Sequence, residues 1–149
     1  MAEFKGSLNT LLRVETSPSE IITKSEQMTN VKTDGEKTLV KLAVCLAQKN
    51  RRSLVVAGSY GYTVLHYRPA ANSVRYFELA GGTEEMKIQL DHSDLFVLLN
   101  VCFSRDDVMK YSNVFINKAN FIEIQKRLSD VIKVNIPDES AMMILIQRN

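Results

Sequence analysis

Two histidines are the residues best suited to proton transfer or metal binding. His66 lies in the run YTVLHY and His92 in the run DHSD, and neither forms a His-x-x-x-His spacing. No Cys-x-x-Cys pair is present, so the common metal-ligand patterns are missing from the sequence. Cys102 lies in the apolar run LNVCFS, where a buried thiol is unreactive, although the residue types leave a Cys102–His–Asp relay open. The sequence therefore predicts no catalytic residue, no metal ligand and no cofactor.

Glycine-rich pieces and acidic pairs are the other places where chemistry could reside. Gly58-Ser59-Tyr60-Gly61 and Gly81-Gly82 match no phosphate-binding motif and precede no predicted helix, so they indicate turns between strands. Asp106-Asp107 and Asp138-Glu139 carry oxygen ligands suited to a divalent ion. Isolated acidic pairs are nevertheless typical of solvated loops. These pieces do not predict an active site.

Aromatic and basic side chains are interleaved in the middle of the chain. Between residues 49 and 89 there are six Lys and Arg against three Glu, a local charge of +3 in a chain of net charge +2. A sheet that presents rings and cations can stack bases and contact the phosphates of single-stranded nucleic acid. The same pattern also fits an ordinary sheet, since tyrosines favour strands and cations protect sheet edges. The residues assigned to a nucleic-acid-binding face are Arg51, Arg52, Tyr62, His66, Arg68, Arg75 and Lys87.

Strand-like runs must position these side chains. The sequence predicts strands over 53–56, 62–67, 74–79 and 86–90, joined by short turns that favour antiparallel pairing. In the last of these runs Met86, Ile88 and Leu90 face inward, while the polar residues between them face outward.

Helical patterns flank the predicted strands. Ser17 can cap a helix that begins at Pro18. Helical spacing predicts a second helix over 36–49, with a strand as the alternative, and a long helix up to residue 134. The clearest stripe follows the DHSD run, so a helix is predicted there; its apolar residues are Leu95, Leu98, Leu99 and Cys102. The apolar run AMMILI, 141–146, predicts a buried strand or a segment that docks on another subunit.

Length and composition predict one domain over 1–149, with part of the N-terminal extension 1–35 mobile. The fold class expected is α+β, an antiparallel sheet covered on one face by amphipathic helices. Cys45 and Cys102 both lie in apolar runs and are expected to be free, buried thiols. No run of about 18 apolar residues and no signal-peptide pattern is present, so an intracellular protein, cytoplasmic or nuclear and without a membrane partner, is expected.

The order of elements over 51–102 resembles the β-β-β-β-α unit of the positive-cofactor-four and Whirly group of single-stranded nucleic-acid-binding proteins. The run KIQLDHSDLFVLLNVC carries the resemblance, as a last strand, a polar cap and an amphipathic helix. The resemblance implies a homodimer or higher homo-oligomer assembled through helices, with nucleic acid on the sheet.

The function predicted from the sequence is therefore a non-enzymatic protein that binds single-stranded DNA or RNA on an exposed sheet face. The alternative is a protein–protein interaction module or regulatory accessory factor without nucleic-acid contact, of a kind that viruses or phages encode. An enzyme of unrecognised type is a third hypothesis. All of the nucleic-acid prediction depends on one face of the sheet being open.

Overall fold

The computed structural model describes residues 17–30, 42–48, 51–81, 84–100, 112–115, 120–135 and 143–148. Their helices and strands are, in chain order, α1 (Pro18–Asn30), β1 (Ala43–Gln48), β2 (Ser53–Gly58), β3 (Thr63–Arg68), β4 (Ser73–Glu78), β5 (Met86–Gln89), β6 (Leu95–Leu99), α2 (Phe121–Asn135) and β7 (Met143–Gln147). The chain divides into two compact units, the first made of Met1–Tyr60 and Leu79–Gln89 and the second of Gly61–Glu78 and Leu90–Asn149. Each unit is described by itself.

The first unit is a three-stranded antiparallel sheet with strand order β1-β2-β5, against which α1 packs. Helix α1 begins as the sequence predicts, since Pro18 is its first residue and the Glu20 N–H donates to the Ser17 Oγ at 3.4 Å. Its buried face contains Ile21 and Ile22, while every residue of β2 is buried. Burial of the central strand on both sides explains its unbroken apolar sequence.

The predicted helix over 36–49 is wrong in its described part, because residues 43–48 form strand β1. The strand that the sequence left as the alternative is the correct interpretation there. Ala43 pairs with Gly58 and Gln48 with Ser53, so β1 completes a six-residue antiparallel ladder with β2. The helix propensity of Leu, Ala, Lys and Gln is a weak preference, and the ladder hydrogen bonds outweigh it.

The second unit is a four-stranded antiparallel sheet with strand order β4-β3-β6-β7. Helix α2 buries its stripe of Ile124, Leu128 and Ile132 in one core with the side chains of alternate sheet residues, which are Leu65, Tyr67, Leu95, Val97 and Leu99. Asn120 caps this helix, because its Oδ1 accepts the Glu123 N–H at 2.9 Å. The antiparallel sheets and the helix packed on this one confirm the predicted α+β class.

The helix predicted after the DHSD run is also wrong, because Leu95–Leu99 forms strand β6 between β3 and β7. All five residues of β6 are buried. A strand buried on both faces has no polar alternation, so its apolar residues also match helical spacing by chance. Cys102, the last residue of the predicted stripe, lies outside the described residues.

The open sheet face required by the nucleic-acid prediction is not present on the inner strands of the second unit. Leu65 and Tyr67 of β3 are buried on the face that α2 covers, and Val64 and His66 are buried on the opposite face. Phe96 and Leu98 of β6 are buried on that opposite face as well.

No helix within the described residues has both the length and the apolar character that a membrane crossing requires.

Candidate functional site

A cluster of charged side chains lies at one end of the second unit's sheet. His66 and Arg68 project from the same face of β3, because they are two residues apart on a strand. Asp94 directly precedes β6, and its neighbour Leu95 pairs with Tyr67, so the strand register brings Asp94 next to the end of β3. Asp91 belongs to the turn that leads into β6. The β3–β6 pairing therefore assembles two acids and two bases that are distant in sequence.

The carboxylate of Asp94 is the centre of this cluster. Its Oδ2 lies 2.9 Å from His66 Nε2 and accepts the backbone N–H of Asp91 at 3.0 Å. The Arg68 Nε lies 3.9 Å from the same oxygen, and the Arg68 Nη2 donates to Asp91 Oδ2 at 3.0 Å. The Asp94 side chain is only 1% exposed and that of His66 5% exposed. A carboxylate so enclosed is stable only with such partners, since unpaired burial of a charge costs several kcal/mol.

Backbone hydrogen bonds fix the turn that carries Asp91 and Asp94. The Asp94 N–H donates to the Asp91 carbonyl at 3.1 Å, and Ser93 takes a positive φ of 67° within the turn. Arg148, which follows β7, donates its N–H to the Asp94 carbonyl at 3.1 Å and accepts the Ser93 N–H at 2.8 Å. Its Nη1 also donates to the Leu90 carbonyl at 2.6 Å. The turn is thus held from both β3 and β7, so Asp94 has a fixed position.

The chemistry available to the cluster is that of charge pairing. Each described carboxylate in it already faces a cation or an imidazole, so neither Asp91 nor Asp94 has the open, acid-rich surroundings of a divalent metal ligand. Across the described part of the chain, no group of three or more His, Cys, Asp or Glu residues could hold a metal ion. The acidic pairs at 106–107 and 138–139 lie outside the described residues. The described donor set therefore does not fit a bound divalent metal.

The structure separates the seven residues predicted to bind nucleic acid into two groups. Arg51, Arg52 and Lys87 are exposed in the first unit. Tyr62, His66, Arg68 and Arg75 belong to the second unit. Burial raises the pKa of the Tyr62 phenol, which is 5% exposed, and His66 is 4% exposed. Neither buried ring presents a face on which a base could stack.

Arg68 and Arg75 are the members of this set that the structure brings together on an accessible part of one sheet. Arg75 of β4 pairs in register with His66 of β3, so the two side chains emerge on the same face. Arg68 is two residues from His66 and is on that face too; its side chain is 33% exposed and Arg75 is exposed. Two of the seven predicted residues therefore lie diagonal to each other on one face, and Arg68 of these two is paired with Asp91.

Sequence reasoning missed Asp91, Asp94 and Arg148 as site residues. The DHSD run predicts only a polar cap before a helix, and no pattern in the sequence marks Arg148. His66 and Asp94 are 28 residues apart, and Arg148 and Leu90 are 58 apart. No local spacing connects residues at such distances, because strand pairing alone brings them together.

Comparison with known proteins gives matches in structure but not in sequence. No family model matches the chain, and no curated protein matches it. Its fold matches the phosphatase domain of the cell fate determinant SpoIIE from Bacillus subtilis, with a TM-score of 0.63, 13% identity, and coverage of 100% of this chain and 74% of that chain. The fold resembles a PP2C phosphatase domain. A SpoIIE structure with the PP2C phosphatase domain and a fragment of its regulatory domain gives a TM-score of 0.73 and 12% identity, covering 99% of this chain and 49% of that one.

A further phosphatase-like match is the photosystem II phosphatase PBCP. Its TM-score is 0.56 at 15% identity, with coverage of 89% of this chain and 59% of that chain. At such identities the likeness establishes the fold. The fold of this chain therefore matches two different phosphatases, SpoIIE and PBCP.

These matches correct the functional predictions made from the sequence. The resemblance to the positive-cofactor-four and Whirly group is wrong, because the predicted β-β-β-β-α helix is strand β6 and the matching folds are phosphatase domains. The nucleic-acid partner, which was predicted from the basic and aromatic residues, is unsupported because the matching folds are phosphatase domains. The homo-oligomer was implied by the resemblance alone and loses its basis with it. The prediction of a non-enzymatic binding or interaction protein is contradicted by the same phosphatase matches. The assignment of the seven residues to a binding surface stays a prediction.

Proposed function

We propose that this protein is a phosphatase that hydrolyses phosphate monoesters. The observation that carries the proposal is the fold match to SpoIIE phosphatase domains over 99–100% of this chain. Both units take part in a match of that extent. Phosphatase domains are therefore the class of activity that the described architecture supports.

The charge of the molecule is in accord with a phosphate-bearing substrate. A phosphate monoester is a compact anion at neutral pH, and arginine is the side chain that binds it best, through paired N–H donors. Arg75 is exposed and has no ion pair to another described residue, while Arg68 lies diagonal to it on the same face. The local excess of positive charge between residues 49 and 89 predicted an anionic partner. We place the substrate phosphate near Arg75.

One of the matching SpoIIE structures was presoaked with Mn, so metal dependence has to be measured directly. The described acids of this chain do not fit a divalent metal, because Asp91 faces Arg68 and Asp94 faces His66. No step of the reaction is therefore assigned to a metal. The described residues contribute positive charge for binding and a rigid turn behind it.

Release of phosphate from p-nitrophenyl phosphate and from a phosphoserine peptide tests the proposal. The purified full chain should release phosphate in at least one of three buffers, containing Mn²⁺, Mg²⁺ or a chelator. Turnover confined to the metal buffers would indicate that carboxylates beyond the described residues bind the metal. Substrate binding without turnover, or no reaction in any buffer, would overturn the proposal.

Replacement of Arg75 by glutamine tests the position of the phosphate. Loss of one exposed charge-assisted contact should lower kcat/KM about threefold to tenfold, mainly through KM, since a contact of about 1 kcal/mol corresponds to such a factor. Lys126→Gln is the matched control, because Lys126 is exposed on α2, which packs on the other face of the same sheet. Equal effects of the two changes would show that only net charge matters.

An intracellular location belongs to the proposal as well, and cell fractionation checks it.

A further inference from the structure

A cavity of about 270 Å³ lies in the second unit, where the first turn of α2 meets the end of the sheet. Its lining is mostly apolar, with two polar side chains at one side. The lining residues are Tyr67, Pro69, Ser93, Leu95, Phe121, Ile124 and Gln147. Leu95 and Gln147 pair in register on β6 and β7, and Tyr67 pairs with Leu95 on β3, so three adjacent strands form the floor. None of the lining residues belongs to the charged cluster around Asp94.

The cavity is partly open to solvent, and its volume is large enough for a small molecule. An apolar cavity of about 150 Å³ is enough for benzene, and pockets for drug-sized ligands begin at about 300 Å³. The walls are also fixed in place, because the Tyr67 ring stacks on Phe115 with centroids 5.0 Å apart. Tyr67 and Phe121 contribute two aromatic rings to the lining, and an aromatic ligand packs well against such rings. One aromatic ring with a small substituent fits this space.

The two polar side chains determine which substituent the ring should carry. Ser93 Oγ lies 2.8 Å from His92 Nδ1. When the hydroxyl donates its proton to that nitrogen, its lone pairs remain available to accept a hydrogen bond. Gln147 is exposed, and its amide makes no hydrogen bond to another described residue, so its carbonyl oxygen is a second acceptor and its N–H groups can donate. The polar side of the cavity therefore favours a ligand with an O–H or N–H group, which can donate to Ser93 or Gln147.

We propose that this cavity is a binding site for a small aromatic molecule that carries one hydrogen-bond donor, such as a phenol or an indole. The site is separate from the phosphatase activity proposed above and does not depend on it. The ring lies among Tyr67, Leu95, Phe121 and Ile124, and its donor points to Ser93 and Gln147. Cavity and donor together define the ligand class.

Binding of p-cresol and p-xylene, which differ only in hydroxyl against methyl, tests both parts of the proposal. Titration followed by methyl and amide NMR should give saturable shifts at Leu95 and Ile124 with p-cresol. p-Xylene should bind roughly threefold to tenfold more weakly, as loss of one ordinary hydrogen bond predicts. Gln147→Leu should reduce this preference. Absence of saturable shifts at these residues, or equal affinity for the two probes, would overturn the assignment.

A pair of tryptophan variants on α2 locates the bound ring. Ile124→Trp fills the cavity and should weaken p-cresol binding at least tenfold. Ile122→Trp adds the same bulk at a position that is 75% exposed, so binding should be unchanged. Equal loss in both variants would contradict binding in the cavity. Ile124 is 4% exposed and its enlargement strains the core, so wild-type NMR shifts decide the outcome if that variant does not fold.

Discussion

Replacing Asp94 by alanine should lower the free energy of unfolding by about 3–5 kcal/mol, because two hydrogen bonds to a buried carboxylate are lost together. The change removes the acceptor for His66 Nε2 and for the Asp91 N–H. Each buried polar group left without a partner costs about 1–3 kcal/mol, so two of them account for most of the loss. The 3.9 Å contact with Arg68 adds little, because that side chain is 33% exposed and water screens it.

Urea denaturation followed by circular dichroism measures this loss, and Asp91→Ala is the matched control. Asp91 makes a hydrogen bond of similar length to Arg68, but its side chain is 63% exposed. An exposed ion pair contributes only about 0–1 kcal/mol, so the control should remain close to wild type. The reasoning is refuted if Asp94→Ala costs less than about 1 kcal/mol, or no more than Asp91→Ala. An Asp94→Ala protein that is unfolded without urea, beside a folded control, agrees with the prediction.

Replacing both residues separates the cost of leaving His66 without a partner from the loss of its interaction with Asp94. His66→Phe combined with Asp94→Leu removes both partners and fills the space with apolar groups. Well-packed apolar pairs often match or exceed the stability of a buried polar pair of the same shape. The double variant should therefore be more stable than the sum of the single losses predicts, by about 0.5–3 kcal/mol. Simple additivity would show that His66 and Asp94 act independently.

Two further predictions concern the first unit. Glu85→Gln should cost about 1 kcal/mol, because Glu85 Oε1 accepts hydrogen bonds of 2.5–3.1 Å from the Ser17 hydroxyl, the Ser19 N–H and the Ser19 hydroxyl at the start of α1. These bonds hold the pKa of Glu85 below its ordinary value of 4.5. The stability that Glu85 contributes is therefore complete above pH 4.5 and is lost as the pH falls through the folded-state pKa. Urea denaturation of wild type, Glu85→Gln and the neighbouring Glu84→Gln at neutral and acidic pH measures this loss. Burial raises the pKa of the Cys45 thiol from 9.0 to about 11, so its thiolate is roughly a hundredfold scarcer at pH 8. In a Cys102→Ser variant the remaining thiol should react slowly with a disulfide reagent until urea unfolds the chain, and rapid reaction in native buffer would contradict this.

Segments with a single clear period or a capping signal were predictable from the sequence. Helix α1 begins at Pro18 after its Ser17 cap, and α2 buries Ile124, Leu128 and Ile132 at the predicted spacing. In β5 the predicted alternation is confirmed, with Ile88 buried and Lys87 exposed. These features depend on local preferences, which a sequence expresses directly.

The incorrect predictions concern strands whose surroundings decide their structure. The run LFVLL of β6 is equally compatible with a helix stripe and with a strand buried on both faces, and only its pairing with β3 and β7 distinguishes them. The pairing of β2 with β5, and of β3 with β6, gives two sheets where consecutive pairing would give one. The candidate site depends on the same pairing, so Asp94 and His66 could not be connected from local sequence.

The register of the last strand has a consequence for the order of folding. β1 with β2, and β3 with β4, are neighbours in sequence and can close as hairpins within microseconds. β6 and β7 instead join residues that are 44 to 52 positions apart, and closing so long a loop costs chain entropy before any contact repays it. We expect the hairpins to gain protection against hydrogen exchange early in refolding. Strand β7 should gain this protection last, at the same time as the Asp91–Asp94 turn to which Arg148 is hydrogen-bonded.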